Sequence, residues 1–408
     1  MVFKDKFLKD NILMLFSTSI VNLTNLLYQI LIVRKLTVIS YGAFNSLLSV
    51  FVIFSFPVAS LSTMIAKFTS SYNNIGERKK ADFLLLVLLR HMLFIGLFYL
   101  FIYLVFGFYF RNYLHLNSTL PIYFTGGMLF LAILSALTFG GLQGLEKFIW
   151  LSVTNVCSAL LKLSLAFFFI VIGWDLLGAL GAYLVSQMVG LLVGFFPLRE
   201  IFRLKETMPD INLSEKYKFV IPSLVTLGCM SLLTNIDVVF VKHFFEPIEA
   251  GYYSVAQFIG KTAFFIAGAI YVVMLPRASG LHAQQKDSRL LLKRSLAYTA
   301  ILCLFVIGGY NLFPKVILGL LTGKVNEQVI FLGRIFSITM TFFSLVSVLV
   351  LYQLSISRFK FLKTLVLFSF LQVLAILLFH TSLTQVLLIL LSNSIILFIL
   401  NLRLAMRE

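Results

Sequence analysis

The chain has 408 residues, 60% of them hydrophobic and 12% charged, with a mean hydropathy of +1.00. A soluble domain is nearer a quarter charged, so this composition excludes a water-soluble globular protein. It implies a polytopic membrane protein with room for about a dozen helices of ~20 residues. The formal net charge of +17 fits basic residues crowded into cytoplasmic loops better than a nucleic-acid surface, and no nucleic-acid partner is expected.

In chain order, the charged first ten residues lead into a long apolar run, so no cleaved signal is expected. Apolar stretches predict helices at 11–33, 43–66, 83–108, 121–145, 148–173 and 176–198. After the longest polar stretch, Arg199 to Lys218, further helices are predicted at 219–241, 251–275, 293–313 and 329–352. The uncharged run 364–402 is too long for one span and is divided at His380-Thr381-Ser382 into two. Pro121 opens a helix, a favoured place for proline. Pro57 and Pro222 fall inside predicted helices, where a missing backbone donor predicts a kink. Gly140, Gly141 and Gly144, with Gly190 and Gly194, read as close helix packing.

Orientation follows from charge. With the N-terminus inside, about 23 Lys and Arg flank the cytoplasmic side, about 6 the outside and about 4 lie within helices. Both termini are therefore expected in the cytoplasm.

The chain also repeats itself. Thr24-Asn25, a basic loop, and Tyr41-Gly42 are echoed by Thr234-Asn235, a charged loop, and Gly251-Tyr252-Tyr253, at an offset of about 210 residues. Six predicted helices separate the copies, an even number, so both enter the membrane in the same direction. The expected fold is all-α, about twelve transmembrane helices in two parallel-repeat six-helix lobes, 1–205 and 206–408.

No enzyme motif stands in the chain. The five histidines are scattered, and HExxH, P-loop and GxSxG patterns are missing. Cys157, Cys229 and Cys303 lie in apolar runs without metal spacing and read as core residues. No catalytic residue, cofactor or metal is expected.

Charges inside the helices carry the functional signal, because each costs ~2.5–3.5 kcal/mol at the bilayer centre without a partner or water. Arg90, Lys162, Asp237, Lys261 and Arg334 are the candidates. Lys162 and Lys261 lie mid-helix, and either line a cavity or are paired in the interior. Arg334 is near enough to a helix end to snorkel. Asn155, Ser158 and Lys162 share one helical face, as do Ser254, Gln257 and Lys261; Asn22, Asn25 and Gln29 form an uncharged stripe. Such stripes line water or serve as interhelical hydrogen-bond glue.

Four stretches together resemble a known family. They are Val33-Arg34-Lys35-Leu36 with Tyr41-Gly42; Leu142 through Phe148 with Asn155, Lys162, Gly173 and Gly178-Ala179; Tyr217 through Pro222; and Ile236-Asp237 with Gly251-Tyr252-Tyr253 and Ala256. Their order and spacing are similar to the Wzx-like oligosaccharide flippases of the multidrug/oligosaccharidyl-lipid/polysaccharide (MOP) exporter superfamily. Thr37 stands where that family has a glycine. The resemblance implies a MATE/MOP-like fold in the bacterial cytoplasmic (inner) membrane. It also implies movement of a polyprenyl-diphosphate-linked oligosaccharide between leaflets by alternating access, for surface polysaccharide biosynthesis. Arg34, Lys162 and Lys261 are the candidate headgroup or glycan contacts, with Asn25, Gln29, Asn155 and Gln257 beside them. Asp237 is a candidate for a coupling proton or sodium, or pairs with a lysine. Expected partners are the lipid-linked oligosaccharide, membrane lipid and polysaccharide polymerase or ligase machinery. The alternatives are a cation-coupled multidrug or small-molecule antiporter of the same fold and a non-transporting membrane scaffold.

Overall fold

A computed structural model describes residues 2–203 and 213–407, and side chains only in part of these. The first half contains α1 (Val2–Lys35), α2 (Val38–Phe54), α3 (Phe56–Asn74), α4 (Arg78–Tyr113), α5 (Leu120–Gly144), α6 (Phe148–Val171) and α7 (Asp175–Phe195), then a tight 3-10 turn, Phe196–Arg203. The second half contains α8 (Leu213–Leu233), α9 (Ile236–Phe244), α10 (Pro247–Ala283), α11 (Arg289–Leu312), α12 (Pro314–Thr322), α13 (Glu327–Ser355), α14 (Phe361–Leu378) and α15 (Leu383–Arg407). Among the described residues, 11 segments are long and apolar enough to cross a membrane, and α2 and α3 count as one of them. α10 is a further helix of 37 residues. The division of the last apolar run falls where the sequence places it, between Leu378 and Leu383.

The repeat extends through the whole chain. Shifted by about 210 residues, Leu120–Gly144 falls at 330–354, on α13. By the same shift α6 falls on α14 and α7 on α15. α1 falls on α8 and α9 together, and α2 and α3 together fall on α10.

The copies differ in where their helices break. The predicted helix 43–66 is two helices, with Ser55 between them and Pro57 in the first turn of α3. Proline lacks the donor that would continue the ladder, so the helix restarts at it. The predicted helix 219–241 is also two, separated at Thr234-Asn235, where Asn235 has φ −137°. Here Asn235 N–H turns to Leu232 O at 3.2 Å, and the Asn235 side chain takes over the freed carbonyl, Nδ2 donating to Ser231 O at 2.9 Å; Thr234 Oγ1 joins its own N–H on Met230 O at 2.8 Å. Pro222 stays inside α8. The short α12, begun by Pro314 and ended by Gly323 at φ +73°, was not anticipated.

The described chain forms two compact units, Met1–Leu36 with Phe54–Ile221, and Thr37–Ile53 with Pro222–Glu408. The expected boundary at 205/206 lies outside the described residues, and most of α2 joins the second unit. Each unit is built round one central helix, α5 in the first and α13 in the second, with two-thirds of each buried. The glycines explain the packing of the first. A Cβ on Gly140 would lie 2.5 Å from Ser62 O and 2.6 Å from Ile65 Cβ, and one on Gly144 would lie 2.8 Å from Ala66 O. Only bare backbone lets α5 approach α3 this closely. In the second unit Gly260 of α10 receives Phe336 of α13, 2.6 Å from the place of its absent Cβ.

Candidate functional site

Polar side chains gather at one place in each unit, and in each an asparagine receives a lysine. In the first unit, Lys162 of α6 donates from Nζ to Asn25 Oδ1 of α1 at 2.6 Å. The same ammonium lies 4.7 Å from the ring centroids of both Tyr28 and Tyr183. The two rings meet edge to face at 6.4 Å, and Tyr28 Oη donates to Ala179 O at 3.0 Å, fixing the cage on α7. Ring faces attract a cation when water is scarce, so the cage holds a charge that the apolar interior would otherwise reject.

In the second unit, Lys261 of α10 donates to Asn235 Oδ1 at 2.7 Å. Asp237, two residues past the helix break, is fully buried. It accepts from Tyr253 Oη at 2.9 Å and from Gln257 Nε2 at 3.3 and 3.2 Å. Gln257 Oε1 in turn accepts from Asn45 Nδ2 of α2 at 3.0 Å. Asp237 stands in the first turn of α9, where unpaired amides and the positive end of the helix dipole favour a carboxylate. The break therefore sets a buried aspartate at a helix start, where Tyr253 and Gln257 also donate to it.

Among the described residues, neither Lys162 nor Lys261 has a carboxylate within 4.0 Å. Both are half-buried and held by neutral amide oxygens, and Lys261 shares its surroundings with the Asp237 carboxylate, with which it interacts electrostatically beyond contact distance. Outside the spans, Lys147 in the α5–α6 turn donates to Pro197 O at 2.6 Å. Burial lowers its pKa from the ordinary lysine value, and Arg78 adds to the effect.

The structure thus brings together Asn25 with Lys162, and Gln257 with Asp237 in the unit that holds Lys261. Gln29 and Asn155 are half-buried and make no side-chain hydrogen bond among the described residues. Arg34 is exposed in the last turn of α1. The sequence reading missed Tyr28, Tyr183, Tyr253 and Asn45. Tyr28 lies one turn beyond Asn25 and Tyr253 one turn before Gln257, so helical periodicity held a signal for both. It also missed Lys242, which is buried in the last turn of α9 instead of standing in a loop, where unpaired carbonyls favour a cation.

A helical, duplicated membrane chain with polar side chains buried inside each copy defines a multi-pass membrane transporter. Solved structures carry the same fold at low identity. An inward-facing multidrug resistance MATE family transporter of the MOP superfamily superposes with a TM-score of 0.76 at 14% identity, covering 94% of both chains. The lipid II flippase MurJ in an inward closed conformation gives 0.72 at 14% identity, covering 98% of this chain and 88% of its own. An uncharacterized membrane protein of Methanocaldococcus jannaschii is 30% identical over 247 residues, 57% of this chain and 58% of that protein. Residues 7–282 match the family described as polysaccharide biosynthesis protein. The chain belongs to that family.

Proposed function

We propose that this protein moves a polyprenyl-diphosphate-linked oligosaccharide from the inner to the outer leaflet of a bacterial cytoplasmic membrane, by alternating access, for surface polysaccharide biosynthesis. It is a carrier and not an enzyme, and both termini are cytoplasmic. The observation that carries this reading is the pair of helix-embedded lysines, each resting on a neutral amide. An ammonium so placed can exchange its amide for a phosphate oxygen and gain a charge-assisted hydrogen bond. A cation carrier would instead be built on carboxylates, whereas the helix-embedded charges singled out in the sequence are four basic, Arg90, Lys162, Lys261 and Arg334, to one acidic, Asp237.

In this reading Lys162 in the first unit and Lys261 in the second each offer an ammonium for phosphate oxygens, and Arg34 at the exposed end of α1 contributes a further cation. Asn25, Gln29, Asn155 and Gln257 contribute polar contacts. Asp237 couples transport to a proton or sodium. Polysaccharide polymerase or ligase machinery takes up the product.

The test is flipping in proteoliposomes. A fluorescent short-chain polyprenyl-diphosphate disaccharide is followed by quenching of the probe in the outer leaflet. Lys162→Gln with Lys261→Gln is expected to cut the rate at least ~10-fold, since charge-assisted bonds contribute about 1.5–3 kcal/mol each. An unchanged rate sinks the assignment. A higher flux of a cationic dye in the same variant favours the antiporter instead.

A further inference from the structure

The repeat places Gln372 of α14 where Lys162 stands in α6, and Asn393 of α15 where Tyr183 stands in α7. Both pairs are in contact: Lys162 lies over the Tyr183 ring, and Asn393 Nδ2 donates to Gln372 Oε1 at 2.7 Å. The two copies therefore keep one node between equivalent helices and fill it with different chemistry. In the first unit the node faces an unbroken α1 and its ammonium reaches Asn25. In the second it faces the break, and Gln372 Nε2 donates to Leu233 O, the last residue of α8, at 2.8 Å. In a continuous helix that carbonyl would accept from the amide four residues on. Left without a donor in a dry interior, it would carry a desolvation penalty. Leu233, Gln372 and Asn393 are all buried.

Two residues beyond Leu233, Asn235 presents Oδ1 to Lys261. We propose that Gln372, anchored by Asn393, is a positioning residue for Lys261: by capping the Leu233 carbonyl it fixes the α8–α9 break in the form that offers Asn235 to the ammonium. The first copy needs no such cap, because its helix does not break. The consequence for headgroup binding rests on the flippase reading; the positioning itself does not.

Two measurements on the full-length protein in detergent separate these. The first is the rate of Lys261 acetylation by acetic anhydride, read by mass spectrometry. Gln372→Leu is expected to raise it several-fold, because the lysine loses its ordered acceptor. Asn393→Leu, which leaves Gln372 in place but unanchored, is expected to act in the same direction. Unchanged labelling in both variants overturns the proposal. The second is affinity for farnesyl diphosphate as a probe. Gln372→Leu is expected to weaken binding about tenfold in the wild-type background and less than about twofold when Lys261 is already Gln, because a residue acting through another is silent once that other is gone. An equal loss in both backgrounds overturns the proposal. If the wild type does not bind farnesyl diphosphate, the flippase reading falls, and the labelling rates still decide the positioning.

Discussion

Asp237→Leu is expected to lower stability and abolish transport, whereas Asp237→Asn is expected to fold. Leucine leaves Tyr253 Oη and the Gln257 amide, both fully buried, without their acceptor. Each orphaned buried donor costs about 1–3 kcal/mol, and the loss extends to Asn45 through Gln257. Asparagine keeps one oxygen as acceptor for Tyr253 and Gln257, removes the charge and replaces the second oxygen by an amide NH2. Thermal unfolding in detergent should therefore separate Leu from Asn, with Asn close to wild type. If Asp237 couples transport, the Asn variant will also lose the response of flipping to an imposed proton or sodium gradient. An Asn variant as unstable as Leu would show that the charge itself holds the network together.

Gly251→Ala is expected to be the most damaging single-methyl change in the second unit. A Cβ there would overlap the Val38 carbonyl of α2, and Gly42, one turn further along α2, also abuts Gly251, with 3.0 Å between its own absent Cβ and Gly251 Cα. Backbone cannot rotate away as a side chain can, so α2 must move off α10. Overpacking of this kind costs about 1–3 kcal/mol, and the displacement also lengthens the Asn45–Gln257 bond. The apparent Tm should fall by about 5 °C. Gly280→Ala is the control, since nothing lies within 4 Å of its absent Cβ; an equal shift in the two variants would argue against a specific contact.

The class of fold was legible because hydropathy and charge bias are summed over hundreds of residues, and because the Thr-Asn and Gly-Tyr pairs repeat at one offset. The helix interruptions were not legible. Pro57 announced one, but Pro222, with the same chemistry, lies inside an unbroken helix. The interruption that matters at the site has no proline and is made by Thr234 and Asn235 folding back on carbonyls. Of the site, the lysines and Asp237 stood out because charge in hydrocarbon is expensive wherever it occurs. Their partners did not stand out, because Tyr28, Tyr183 and Tyr253 look like ordinary apolar helix residues until a neighbouring helix supplies the cation or carboxylate. Gln372 and Asn393 lay in a run whose only visible property was the absence of charge.

The mismatch in helix breaks between the copies bears on how such a chain could have diverged and how it can be rebuilt. The first helix of the repeat is continuous in copy one and interrupted in copy two; the second helix is interrupted in copy one and continuous in copy two. Each copy has kept a stiff rod where the other has a joint, so the halves have ceased to be interchangeable parts. A chain assembled from two copies of the first half would carry the Ser55 joint twice and lack the one beside Asp237. A tandem of the second half would duplicate the carboxylate and lose the tyrosine-caged ammonium. Neither homodimer of halves would reproduce the natural complement of charges and joints.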